Sequence, residues 1–128
     1  MASKINYFRR EYYEYKNFQC IKLKAKLLGI TKRRVDKGEI KVDAQFKERS
    51  LSLVVTGLLG HYELPFNGRT LYAPIDPSKC TWMVKNDWLK LYIHKRVAQK
   101  WADQRGEITL LAEEPEEDEV KKEDASNN

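Results

Sequence analysis

Two histidines and two cysteines are all that these 128 residues supply of the side chains that most often hold transition metals. Neither Cys20 nor Cys80 belongs to a Cys-x-x-Cys pair, and no histidine cluster accompanies them. The expected reading is two free thiols in or near a core, with a disulfide or a two-thiolate site as the alternative. Also missing are Gly-x-Ser-x-Gly, His-Glu-x-x-His, a P-loop and Gly-x-Gly-x-x-Gly. Gly57-Leu58-Leu59-Gly60 reads as a hairpin between strands and not as a phosphate cradle before a helix. His61 falls at that hairpin and His94 on the solvent side of a strand, so turn and surface positions explain both. No enzyme activity, no cofactor and no bound metal are therefore expected.

Long apolar runs are absent too. No stretch of about 18 apolar residues occurs, which argues against a membrane-spanning helix. The start, Met1-Ala2-Ser3-Lys4-Ile5-Asn6, has neither a hydrophobic signal core nor the glycine required for myristoylation. A cytoplasmic chain, with access to the nucleus, is expected.

What is present is apolar material for one modest core, 41%, under a heavily charged surface, 34%. The net charge of +5 is unevenly spread. Residues 113–128 hold eight acids against two bases, a net of −6, which leaves +11 for residues 1–112. A basic domain thus carries an acidic tail, expected to be solvated and disordered.

Period-two alternation dominates the rest. Ile21, Leu23, Ala25 and Leu27 alternate with Lys22, Lys24 and Lys26; Ile40, Val42, Ala44 and Phe46 with Lys41, Asp43 and Gln45. Leu51, Leu53 and Val55 repeat the pattern, as do Cys80, Trp82 and Val84, and then Leu89, Leu91 and Ile93 between Trp88, Lys90, Tyr92 and His94. Each run reads as a strand with one face on a core and one in water. Residues 7–15, rich in aromatics, read as a further strand, and residues 28–39 as a basic loop with a short helical turn. Residues 108–111 read as an edge strand or a docked extension. The expected fold is an all-β, seven-stranded antiparallel β-sandwich over residues 7–105. It is preceded by an N-terminal extension, 1–6, and followed by an acidic, mostly disordered tail, 106–128.

The ordered run Leu71-Tyr72-Ala73-Pro74-Ile75-Asp76-Pro77-Ser78-Lys79-Cys80-Thr81-Trp82-Met83-Val84, then Leu89-Lys90-Leu91-Tyr92-Ile93-His94-Lys95 and Lys100-Trp101, resembles the CS domain. Phe46-Lys47-Glu48-Arg49-Ser50-Leu51-Ser52-Leu53-Val54-Val55, and Ala25-Lys26 before Gly29-Ile30, extend the resemblance upstream. That family has the α-crystallin-like sandwich of small heat-shock proteins and serves co-chaperones as a docking module. In it Trp82 and Trp101 would be core residues closing a sandwich end.

The resemblance is to the CHORD-containing and suppressor-of-G-two-allele type, and secondly to the acidic-tailed co-chaperone of steroid-receptor complexes. The former implies docking of the N-terminal domain of the 90-kDa heat-shock chaperone on an exposed sheet face. Tyr13 matches a contact tyrosine there, Lys24 stands where that group has phenylalanine, and Trp88 where it has lysine. The latter's Trp-Pro-x-Leu continuation is replaced by Trp101-Ala102-Asp103-Gln104. The expected partner-binding set is Tyr13, Lys22, Lys24, Trp88, Lys90 and Tyr92, with Trp88 and Tyr92 as exposed anchors. The expected partner is that chaperone or a client protein, met by a monomer away from membranes. Two alternatives stand beside it. One is a scaffold in dynein or nuclear-distribution complexes. The other is a nucleic-acid binder using the aromatic and basic run around Arg9 and Arg10 with Arg33 and Arg34.

Overall fold

The computed structural model describes residues 4–112. The expectation of a disordered acidic tail from Glu113 onward lies outside the described residues. Eight strands form two four-stranded sheets packed face to face. They are β1 (Ile5–Tyr7), β2 (Arg9–Tyr15), β3 (Cys20–Lys26), β4 (Ile40–Lys47), β5 (Ser50–Gly57), β6 (His61–Glu63), β7 (Thr81–Lys85) and β8 (Trp88–His94). One sheet has the order β1-β6-β5-β4, the other β2-β3-β8-β7. One short helix, α1 (Lys32–Asp36), and a 3-10 turn at Pro77–Lys79 complete the described elements. Thr31 caps α1, its hydroxyl accepting from the Arg34 N–H at 3.1 Å. None of the described helices is long and apolar enough to cross a membrane.

The alternation read from the sequence is what builds the core. Ile21, Leu23 and Ala25 of β3 face inward with Leu51, Leu53 and Val55 of β5 and Leu89, Leu91 and Ile93 of β8, all of them buried. Burial of a large side chain of this kind stabilises the fold by about 1.5–3 kcal/mol. The lysines between them point to water on the other face. The all-β sandwich expected from the sequence is therefore the observed fold.

Its details differ in five places. There are eight strands rather than seven, and the pairing is not wholly antiparallel, because β1 runs parallel to β6. The single strand expected over residues 7–15 is broken at Phe8, which turns into the core and passes the chain from one sheet to the other. Ile5 and Asn6, assigned to an extension, pair with His61 and Tyr62 and so belong to the sandwich. The strands β1 and β6 are three residues each, too short for alternation to reveal. At the other end, residues 106–112 are not free tail. Ile108 and Leu111 make single bridges to Ala102 and Leu71, and Leu110 is buried among the core side chains.

The fifth difference is Trp82. Its position alternates correctly with the buried Val84, but β7 is an outermost strand, so the indole overhangs the rim and remains 36% exposed. Trp101 does close the sandwich end. It is buried, edge-on to Tyr72 with ring centroids 5.6 Å apart. Beside it lies a buried ion pair. The Lys95 ammonium donates to Glu14 and, at 2.7 Å, to the Gln99 carbonyl. The same Glu14 oxygen accepts the Trp101 backbone N–H at 2.7 Å. One carboxylate thus ties β2, the end of β8 and the C-terminal segment together.

Two polar side chains fix the loops. Asn67 acts as a surrogate strand neighbour of Leu53, its amide oxygen accepting the Leu53 N–H at 2.9 Å and its NH2 donating to the Leu53 carbonyl at 3.1 Å. Asp87, at φ 70° in the β7–β8 turn, accepts the Gly29 N–H on its carboxylate at 2.8 Å. Its backbone bonds both Leu27 and Ile30. That clamp holds the loop after β3 against the start of β8, where Lys26 and Trp88 stand.

Candidate functional site

Antiparallel register places opposed residues on one face of a sheet. On the outer face of β2-β3-β8-β7 this gives successive cross-strand rows. The first is Arg9, Lys26, Trp88 and Lys85; the second Glu11, Lys24, Lys90 and Met83. The third is Tyr13, Lys22, Tyr92 and Thr81, and the last Tyr15, Cys20 and His94. All six residues expected to bind a partner lie on this one face. Lys26 and Lys85 join them without having been singled out, as does Arg9, which the sequence offered only for nucleic-acid binding. Lys26 shares the parity of Lys22 and Lys24, and that spacing was the signal available in the sequence.

The face is positive. Its rows hold six cations, Arg9, Lys22, Lys24, Lys26, Lys85 and Lys90, and one carboxylate, Glu11. Glu11 accepts the Tyr13 hydroxyl. That bond, with burial and the nearby negative charge behind it, raises the phenol's pKa. No ion pair to any of the five lysines occurs among the described residues. Desolvation, and then repulsion from Lys85, Lys22 and Lys24, pulls the Lys90 ammonium below its ordinary pKa. Register also sets the opposite face of the sandwich. Along β4 and β5 its outer row carries Lys41 and Lys47 against Asp43, among serine and threonine. The asymmetry between the two faces is one of charge.

In place of carboxylates, three of the five lysines use rings. Lys24 Nζ lies 4.4 Å and Lys26 Nζ 5.3 Å from the Trp88 ring centre, and Lys22 Nζ lies 5.9 Å from that of Tyr92. Each such contact is worth about 0.5–1 kcal/mol near a surface. This alters one expectation. Trp88 and Tyr92 do not stand exposed but are half-buried, Trp88 beneath two lysine side chains and Tyr92 with its hydroxyl on the Met83 sulfur at 3.3 Å. Tyr13 is the aromatic that stands clear, 46% exposed. Arg33 and Arg34, by contrast, belong to α1 and not to this face. Arg34 is spent on the Gly29 carbonyl at 2.9 Å.

The last row differs in kind. Cys20 Sγ is 3.5 Å from His94 Nδ1, and the His94 N–H donates to Cys80 Sγ at 3.3 Å. Both thiols are free, and Cys20 is buried beneath the outer face, not within the core between the sheets. Burial pushes the Cys80 thiol up, and it pushes the Tyr15 phenol, which also faces Cys20, up to about 12. Raised values keep both groups protonated, the form in which a thiol is a poor nucleophile. No group of three or more His, Cys, Asp or Glu suited to a metal ion occurs among the described residues.

A hollow of about 640 Å³ runs beside β2. Tyr12, Tyr13, Phe18, Lys100 and Ile108 line it together with Glu14 and Glu107. Phe18 reaches it from a turn in which Lys16, Asn17 and Phe18 all have positive φ, 55°, 53° and 65°. Left-handed residues other than glycine cost about 1–2 kcal/mol each.

Residues 21–95 match the family model described as CS domain, more than half of the chain. No curated protein matches it.

Proposed function

The chain belongs to the CS-domain family, and from that premise we propose that it is a non-catalytic docking module whose partner surface is the lysine and aromatic face of β2-β3-β8-β7. The partner we propose is an acidic patch on the N-terminal domain of the 90-kDa heat-shock chaperone, met in the cytoplasm. The observation that carries the reading is the charge asymmetry: six cations and one carboxylate on this face, near balance on the other. Aromatic rings among the cations supply anchoring area, and the cations supply steering. Two free thiols suit a reducing compartment. The changed contact positions also fit. Lys24 and Trp88 exchange charge and ring relative to the chaperone-binding relatives described above, yet here they touch each other, so the pair presents the same two chemistries in swapped places.

Calorimetric titration of the chaperone's N-terminal domain with full-length variants tests this. Lys22→Glu combined with Lys90→Glu is expected to weaken binding at least tenfold. Lys41→Glu with Lys47→Glu, on the opposite face, is expected to leave it within about twofold, since screening beyond about 8 Å removes long-range effects at physiological salt. Equal losses from both pairs would remove the assignment to this face. Tight binding to short single-stranded nucleic acid, abolished by the same β3 and β8 changes, would transfer the face to the nucleic-acid reading.

A further inference from the structure

The positive face and the most negative stretch of the sequence belong to one chain, and the structure shows where the residue before that stretch lies. Leu111 bridges Leu71, and the Ala112 N–H donates to the Thr70 carbonyl at 3.0 Å. Leu71 is bonded in turn to Arg49, and Ile75 to Glu48 and, by a bridge, to Lys95. Residue 112 therefore ends at the pole of the sandwich shared by the β4–β5 turn and the end of β8. From there residues 113–128 carry eight acids and two bases.

We propose that this acidic segment, 113–128, is the first occupant of the lysine face, and that an external acidic partner must displace it. The proposal rests on the docking face assigned above and adds its regulation. Reach is ample. Sixteen residues extend to about 53 Å at 3.3 Å each, while a seven-residue strand spans about 23 Å. Charge is complementary, with the −6 of the segment facing five lysines that have no ion-pair partner among the described residues. Spacing agrees as well. Lys22, Lys24 and Lys26 project from one side of β3 at every second residue, and Glu114, Glu116 and Asp118 have the same period in an extended chain. Tethering places such a segment at an effective concentration of about 1 mM. An intrinsic dissociation constant of about 1 mM then halves the free face, and one of about 0.1 mM leaves about a tenth of it free.

The test compares the full-length protein with a full-length variant in which Glu113, Glu114, Glu116, Glu117, Glu119 and Glu123 become Gln, and Asp118 and Asp124 become Asn. At about 50 mM salt, amide spectra of the two are expected to differ at residues 20–26 and 81–94. Raising salt to about 0.5 M is expected to bring the wild type to the variant's positions, because screening shortens to a few ångströms. Poly-L-glutamate, as the probe, is expected to bind the variant two- to tenfold more tightly. Spectra that coincide below residue 112, or shifts of equal size along β4 and β5, would overturn the proposal. So would equal poly-L-glutamate affinity of the two proteins, which would leave the docking face itself standing. Tail-dependent shifts on the lysine face with no poly-L-glutamate binding by either protein would support self-docking and count instead against the face as a partner surface.

Discussion

Lys95→Met removes one half of the buried pair that joins β2, β8 and the C-terminal segment. In the intact protein the Lys95 side chain is fully buried and that of Glu14 is 7% exposed. After the change, Glu14 keeps the Trp101 N–H at 2.7 Å but loses its only cation among the described residues, so a carboxylate is left buried without that partner. Breaking such a pair costs about 3–5 kcal/mol. With an unfolding entropy of about 2.1 cal/mol/K per residue over the roughly 110 described residues, that is a fall in Tm of about 13–22 °C. Glu14→Gln leaves the fully buried Lys95 ammonium without its counter-ion and is expected to destabilise as well, even though an amide oxygen can still accept from Lys95 and Trp101. The double variant, Lys95→Met with Glu14→Gln, buries no charge and is expected to recover much of the loss. Urea melts of the four proteins close the cycle, with Lys32→Ala as the control. Lys32 pairs with Asp36 at 2.6 Å, but both side chains are more than half exposed, and losing the pair costs about 0.5 kcal/mol or less. A Lys95→Met loss under about 1 kcal/mol would refute the claim that this pair latches the C-terminal segment.

Three further perturbations probe other parts of the account. Gly57 has φ 114°, and a Cβ there would meet the Glu39 carbonyl oxygen at 2.5 Å, so Gly57→Ala is expected to cost about 2 kcal/mol or more in a denaturant melt. The Tyr15 phenol is raised from 10.0 to about 12 in the fold, so its contribution is intact below pH 10 and is lost as pH rises through 10 to 12. Tyr15→Phe is therefore expected to flatten the fall of stability across that window, measured against wild type in parallel melts. The Cys80 thiol, raised by burial, is expected to react with a disulfide reagent more slowly at pH 8 than a free cysteine peptide, and a faster rate would contradict its placement.

Strand type and facing were legible because β3, β4, β5 and β8 are seven or eight residues long, enough for period two to declare which side chains meet the core. β1 and β6 were not, because three residues hold no period, and their pairing joins positions far apart in the chain. Trp82 misled for a related reason. Alternation gives the side of a sheet a residue faces but not whether its strand is outermost, and β7 is. The partner face was legible in part. Lys22, Lys24, Lys90, Trp88, Tyr92 and Tyr13 share parity within their strands, but which strands stand side by side is set by topology. That adjacency is what lays Lys24 and Lys26 over Trp88 and turns an expected exposed anchor into a capped one. The Glu14–Lys95–Trp101 latch left no local trace at all, since its members are brought together only by the closed sandwich.

The most direct measurement of the central claim is a residue-by-residue map of the docking face. The labelled full-length protein would be followed by amide spectra as the N-terminal domain of the 90-kDa chaperone is added, at low and at high salt. Shifts are expected at Tyr13, Lys22, Lys24, Trp88, Lys90 and Tyr92, saturating in the micromolar range and fading as salt screens the lysines. Shifts that gather instead on β4 and β5, or no shift on either face at several hundred micromolar partner, would contradict it.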